Sequence, residues 1–332
     1  MDDAVAVDVH GLTKSYRDVH AVAGIDLRIE RGEIFALLGP NGAGKTTTVE
    51  ILEGYRSRDG GTVSVLGYDP GKQRQELKSL IGIVLQSTGI DNYLTVAETI
   101  TMYSGYYPNP RPTDEVIELV GLGQKRDTRV IKLSGGQQRR LDVAIALAGN
   151  PELLFLDEPT TGFDPSARHE AWEVVKNLAA IGKTVLLTTH YMDEAQYLAD
   201  RVAVISAGRI VAEGPPATLG HRETASTHLR YRPPEDPAAG RPPADLDGQP
   251  GPDGFVDVVA DDLTLALNRL TGWAIERGIR LDTLQIVRPT LEDVYLALAG
   301  PPAGVSQAGP EGADGGDSGH RRFGRLGGRH TS

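Results

Sequence analysis

The pattern of this 332-residue chain predicts an α/β fold. A mostly parallel core sheet flanked by helices is expected, with a peripheral antiparallel region, followed by a small α/β C-terminal domain. Three observations carry that expectation. Short apolar or β-branched runs at 34–38, 153–156, 184–189 and 202–205 alternate with longer helical stretches, the order in which crossover helices build a parallel sheet. These runs are apolar at nearly every position, which fits strands covered on both faces. Two earlier runs, 5–9 and 25–29, instead alternate apolar with polar, as peripheral antiparallel strands do.

Taken in chain order, the strand at 34–38 runs into Gly39, and the helix that follows passes through Thr47, Thr48, Val49, Ile51 and Leu52, with Gly54 as its stop. Ser134 caps a second helix carrying Leu141, Val143, Ala144, Ile145 and Leu147, which breaks at Gly149-Asn150-Pro151. The run at 153–156 ends in Asp157-Glu158, and the run at 184–189 is followed by His190. Further on, strands are expected at 228–231, 255–259 and 284–287, with helices at 263–277 and 290–298, the latter capped by Thr290. The domain boundaries that result are 1–222 for the main domain and 223–299 for the small α/β domain. Within the latter, residues 232–254 are rich in Pro and Gly, too poor in apolar surface to order themselves, and read as a linker or long loop. Residues 300–332 read as a disordered, solvated tail.

Composition narrows the function. Asp and Glu outnumber Lys and Arg by 45 to 34, so an extended nucleic-acid footprint is not expected. The absence of cysteine rules out disulfides, thiolate metal sites and a cysteine nucleophile. No apolar run approaches the roughly 20 residues that cross a bilayer, and the acidic start has no signal-peptide core. A cytosolic residence is expected, with the inner face of the membrane left open.

The chemistry is concentrated at the strand ends. Gly39-Pro40-Asn41-Gly42-Ala43-Gly44-Lys45-Thr46 follows the strand at 34–38 and satisfies G-x-x-x-x-G-K-[ST], with Thr47 next in line. Its glycines let backbone N–H groups converge on phosphate oxygens at the positive end of the following helix. Lys45 reaches the β- and γ-phosphates of a nucleotide, and the Thr46 hydroxyl is a Mg²⁺ ligand. Such a loop needs a carboxylate at the end of a neighbouring strand, and Asp157 supplies it, acting on Mg²⁺ through water. Glu158 is the candidate to orient or deprotonate the attacking water. One strand later, His190 stands at the same edge as a γ-phosphate contact. Leu133-Ser134-Gly135-Gly136-Gln137, ahead of the second helix, forms a further anion site at a helix N-terminus.

These motifs in this order resemble the ATP-binding cassette (ABC) ATPases, and the resemblance runs from residue 7 to about 220. It implies a P-loop NTPase cassette with an antiparallel β subdomain and a helical subdomain at about 87–150, in which Tyr16 stacks on adenine, Gln86 links Mg²⁺ and the water to the helical subdomain, and Asp164 makes a dimer contact. The family more often has Ser-Gly-Leu-Asp-Pro where this chain has Thr161-Gly162-Phe163-Asp164-Pro165. The resemblance also implies two cassettes packed head to tail, so that Ser134, Gly135, Gly136 and Gln137 cover the ATP of the partner; a homodimer is the simplest closure. An integral-membrane permease subunit docks on the helical subdomain, where Tyr93, Tyr103, Tyr106 and Tyr107 fit an interface and a subdomain core equally well. Residues 288–298, RPTLEDVYLAL, look like the end of ATPase subunits of ABC-2-type exporters, the group that includes drug-resistance and antibiotic self-protection ATPases. The function expected is an ATP-hydrolysing, peripheral membrane subunit of an exporter for a drug, antibiotic or lipid-like molecule, with ATP and Mg²⁺ as cofactors. The alternatives are a soluble ABC ATPase acting on ribosomes or DNA, and a regulatory ATP-binding module with little turnover.

Overall fold

The computed structural model describes residues 4–84, 89–219, 227–234, 241–260 and 262–287. Its centre is a six-stranded sheet built from β3 (Ile34–Leu38), β5 (Ile81–Val84), β6 (Leu153–Asp157), β7 (Thr184–Thr189), β8 (Arg201–Ser206) and β9 (Arg209–Gly214). The strand order is β5-β6-β7-β3-β8-β9, with all pairs parallel except β8 with β9. All five residues of β3 are buried, and they divide by parity. Ile34, Ala36 and Leu38 enter one core, and Phe35 and Leu37 enter another on the opposite face. This is why the run is apolar throughout: alternate side chains leave a strand on opposite faces, and here both faces are dry. Leu153 to Leu156 of β6 divide in the same way.

The second core lies between this sheet and a three-stranded antiparallel sheet of order β2-β1-β4, formed by β1 (Val5–Tyr16), β2 (Val19–Glu30) and β4 (Gly60–Val65). The helix α1 (Lys45–Leu52) contributes Val49, Ile51 and Leu52 to it. The short α2 (Arg74–Lys78) adds Leu77. The first core is covered by α3 (Val96–Ser104), α4 (Thr113–Leu119), α5 (Gly135–Leu147), α6 (Pro165–Ala180) and α7 (Met192–Leu198). Three of these, α3, α4 and α5, lie within residues 87–150, and the tyrosines of that stretch differ in exposure. Tyr93 and Tyr106 are about three-quarters exposed, at 74% and 76%, whereas Tyr103 packs against the core and Tyr107 is half-buried.

Beyond the main sheets, β10 (Thr227–Tyr231), β11 (Val256–Ala260) and β12 (Gln285–Val287) form an antiparallel sheet of order β11-β10-β12. With α8 (Leu263–Glu276) it encloses its own core around Leu229, Tyr231, Leu270 and Trp273. The described part of the Pro/Gly-rich tract packs against this core at one point. Leu246 is buried in this core, and its carbonyl accepts a 2.7 Å hydrogen bond from the Tyr231 hydroxyl. One leucine and one buried hydroxyl anchor the segment that apolar content alone left unordered. The expected helix at 290–298 and the tail at 300–332 lie outside the described residues.

Candidate active site

The glycine-rich loop leaves the carboxyl end of β3, and two of its glycines are required by close backbone approach. A Cβ on Gly39 would sit 2.4 Å from the Ile205 carbonyl oxygen of β8. Gly44, at φ +109°, adopts a left-handed conformation, and a Cβ there would sit 2.3 Å from the Ala21 carbonyl oxygen. Gly44 also precedes α1 without a side-chain cap, which leaves the helix N-terminus turned toward the loop. Lys45 Nζ donates to the Gly39 and Pro40 carbonyls at 2.7 and 3.2 Å. Burial pulls the Lys45 pKa below its ordinary value, and the carboxylates of Glu158 and Asp157 oppose that shift.

The carboxylates stand opposite the loop, but β6 is not the neighbour of β3 as the motif spacing suggested. β7 lies between them. Two ladder spacings of about 4.8 Å therefore separate the strand that feeds the loop from the strand that carries the acids, a gap of roughly 10 Å. The intervening strand also orders the acids. Thr188 of β7 donates its hydroxyl to Asp157 Oδ1 at 2.5 Å, and its carbonyl accepts from the Glu158 N–H at 3.1 Å. Glu158 has φ +45°, a left-handed conformation that costs a non-glycine residue about 1–2 kcal/mol. Its Oε1 lies 3.9 Å from Lys45 Nζ and 3.2 Å from His190 Nδ1, the latter contact off hydrogen-bond alignment. Its Oε2 accepts from the Thr161 hydroxyl at 3.1 Å.

A cleft of about 470 Å³ joins Tyr16, Pro40, Asn41, Gly42, Gly44, Lys45, Thr46, Thr47 and Glu158. Tyr16 is 38% exposed, with the Arg56 guanidinium 5.3 Å from its ring centre. Gly39 and Ala43 complete the loop beside this cleft; Gly39, His190 and Met192 border a second hollow on its far side. The site residues Lys45, Thr46, Asp157, Glu158 and His190 thus come together at one sheet edge. Gln86 lies outside the described residues.

The Ser134–Gln137 segment opens α5 as a reciprocal cap. Ser134 Oγ accepts from the Gln137 N–H at 3.3 Å, and Gln137 Oε1 accepts from the Ser134 N–H at 3.1 Å. With Gly135 and Gly136 it borders a separate cavity of about 400 Å³ that also meets Asp164. Asp164 caps α6 in turn, accepting from the Ser166 and Ala167 N–H groups at 3.0 Å each. Sequence reasoning missed Thr188, hidden inside a β-branched run, and Arg139, which reads as one more charge on a polar helix. It also missed Glu194, fully buried, which accepts from the Thr160 hydroxyl at 2.7 Å and the Trp172 indole at 3.0 Å.

A phosphate-cradling loop, two carboxylates and a histidine at the carboxyl edge of a parallel sheet define a nucleoside-triphosphate-binding protein. The comparisons narrow the class. Residues 22–161 match the family described as ABC transporter. The chain is 42% identical over 234 residues to the daunorubicin/doxorubicin resistance ATP-binding protein DrrA of Streptomyces peucetius, covering 68% of this chain and 70% of that one. It is 38% identical over 313 residues to the daunorubicin resistance ATP-binding protein DrrA2 of Streptomyces coeruleorubidus, covering 90% and 96%. With the Nod factor export ATP-binding protein I of Neorhizobium galegae the identity is 45% over 221 residues; the match covers 65% of this chain and spans 63% of that relative's length. Among solved structures, the post-hydrolysis dimeric state of the ATP-binding cassette MJ0796 bound to ADP and Pi aligns at TM-score 0.56 and 26% identity, covering 63% of this chain and 98% of that one. The ADP conformation of the cassette MJ1267 aligns at TM-score 0.57 and 24% identity, covering 64% and 91%, a likeness of fold. The chain belongs to the ATP-binding cassette family of ABC transporter ATPases, and its fold is that family's P-loop NTPase cassette.

Proposed function

We infer that the chain is the ATP-hydrolysing subunit of a membrane exporter of the ABC-2 type, working as a head-to-tail homodimer on the cytoplasmic face of the membrane beside an integral-membrane permease. The observation that carries the ATPase reading is the meeting of Lys45, Glu158 and His190, with Glu158 Oε1 3.9 Å from the lysine and 3.2 Å from the histidine. The exporter reading rests on the daunorubicin-resistance and Nod-factor-export relatives, which also support a cargo among drugs, antibiotics or lipid-like molecules.

The roles follow from position. N–H groups of the loop 39–46 and the uncapped N-terminus of α1 hold the phosphates, while Lys45 neutralises the β- and γ-oxygens. Tyr16 offers an exposed aromatic face for the base. Glu158 accepts the proton of the attacking water, and His190 orients the terminal phosphate. Thr46 would give its hydroxyl oxygen to Mg²⁺, and Asp157 would act on the ion through water. Among the described residues no cluster of three or more His, Cys, Asp or Glu could hold an ion alone, and a sparse oxygen set suits an ion shared with substrate phosphates. When bound, Mg²⁺ neutralises charge developing on the β- and γ-phosphoryl oxygens. Ser134, Gly135, Gly136 and Gln137 would close on the nucleotide of the partner cassette, with Asp164 at the contact and Gln86 linking chemistry to the helical subdomain.

Replacing Glu158 by Gln tests this assignment. ATP binding should persist, turnover should fall by about 10²–10⁴-fold, and an ATP-trapped dimer should accumulate on gel filtration. Wild-type turnover in that variant would remove Glu158 from the role.

A further inference from the structure

Arg139 sits about 6 Å along α5 from its first residue, Gly135, and points away from solvent. Its side chain is 9% exposed, and it pairs at 3.4 Å with Asp142, 10% exposed, one turn further along. The rest of the guanidinium leaves the helix entirely. Nε donates to the Pro159 carbonyl at 3.0 Å, and Nη2 donates to the Asp157 carbonyl at 3.2 Å. These two carbonyls belong to the residues on either side of Glu158, the residue held at φ +45°. A planar fork reaching these two carbonyls fixes the peptide plane that enters Glu158 and the one that follows Pro159, and so brackets the residue between them. Between α5 and this segment lies a cavity of about 580 Å³, with Gly135 and Arg139 on one wall and Glu158 and Thr161 on the other.

We propose that Arg139 is a positioning residue that makes the orientation of the Glu158 carboxylate depend on the placement of α5. Resting on the head-to-tail reading above, this has a consequence for the pair. The N-terminus of α5 faces the nucleotide bound to the partner, whereas Glu158 serves the nucleotide bound to its own chain. Arg139 therefore carries closure at one ATP site to the water-activating group of the other, through one rigid turn of helix and two hydrogen bonds.

Arg139→Lys in the full chain is the test, because lysine keeps the charge beside Asp142 but cannot span both carbonyls. The expected result is a kcat lower by about tenfold or more at unchanged KM, the size of effect that a small misplacement of a reacting group produces. The Hill coefficient for ATP should drop from near two toward one. Hydrogen exchange should show faster exchange of the amides of Asp157, Glu158 and Thr160 while those of 153–156 keep their protection, a pattern that general destabilisation does not produce. Wild-type kcat and Hill coefficient in Arg139→Lys, or unchanged exchange at Asp157, Glu158 and Thr160, would overturn the proposal. A Glu158→Gln chain that forms no ATP-trapped dimer would overturn the reading beneath it and, with it, the transmission between sites. The exchange result would then still decide whether Arg139 holds the Glu158 backbone.

Discussion

Glu53 closes α1 with only 4% of its surface exposed, and burial, reinforced by Asp157 and Glu50, pushes its pKa up to about 8. The folded chain therefore keeps this proton where the unfolded chain, with an ordinary carboxyl near 4.5, has already released it. The sign follows from linkage: the group's contribution is complete below pH 4.5, declines as pH rises, and is lost above about pH 8. Glu53→Gln should flatten that decline, so its melting temperature should gain on the wild type as pH rises from about 6 to 9. Parallel melting curves across that range would show that Glu53 is not the group responsible. Single residues were also where the sequence was hardest to read. Lys45, Asp157, Glu158 and His190 announced themselves by following apolar runs at fixed spacing. Arg139, Thr188 and Glu194 did not, because their roles depend on burial by elements distant in the chain. The left-handed backbone of Glu158 likewise has no compositional signal, since nothing about a glutamate in a sequence foretells a positive φ.

At the scale of elements, the two capped helices at the site show local rules doing dual service. Asp164 accepts from two N–H groups of α6, each at 3.0 Å, and Pro165 begins the helix with a pre-set φ. Asp164→Ala should lower the unfolding free energy by about 1 kcal/mol in urea titrations of the isolated chain. Asp164→Asn keeps the accepting oxygen and should unfold at the wild-type midpoint. A loss of turnover in Asp164→Asn without loss of stability would separate the dimer contact from the cap; equal destabilisation by both changes would show that charge, not the accepting oxygen, stabilises the helix. The Ser134 cap, the stop at Gly54 and the break after Leu147 were legible because capping and chain reversal are decided within a few residues. The insertion of β7 between β3 and β6 was not, since strand order is a property of the assembled sheet and leaves no trace in any one strand.

At the scale of the molecule, the described residues build three separate cores: two on opposite faces of the central sheet and a third enclosed by β10, β11, β12 and α8. No helix among the described residues is long and apolar enough to cross a membrane, and the proposed permease is what an exporter reading asks for. Affinity capture of the tagged full chain from detergent-solubilised host membranes should recover a polytopic membrane protein in near-equal amount. Recovery of soluble or ribosomal material alone would remove the exporter reading and leave the ATPase reading standing. The place of β7 bears on how such a protein changes over evolutionary time. The span between the phosphate loop and the acids is set by main-chain ladder geometry, which every amino acid but proline supplies equally. It acts as a ruler whose markings are independent of what is written along it. The sequence can drift widely over such a ruler, and the fold shared with MJ1267 at 24% identity is an instance.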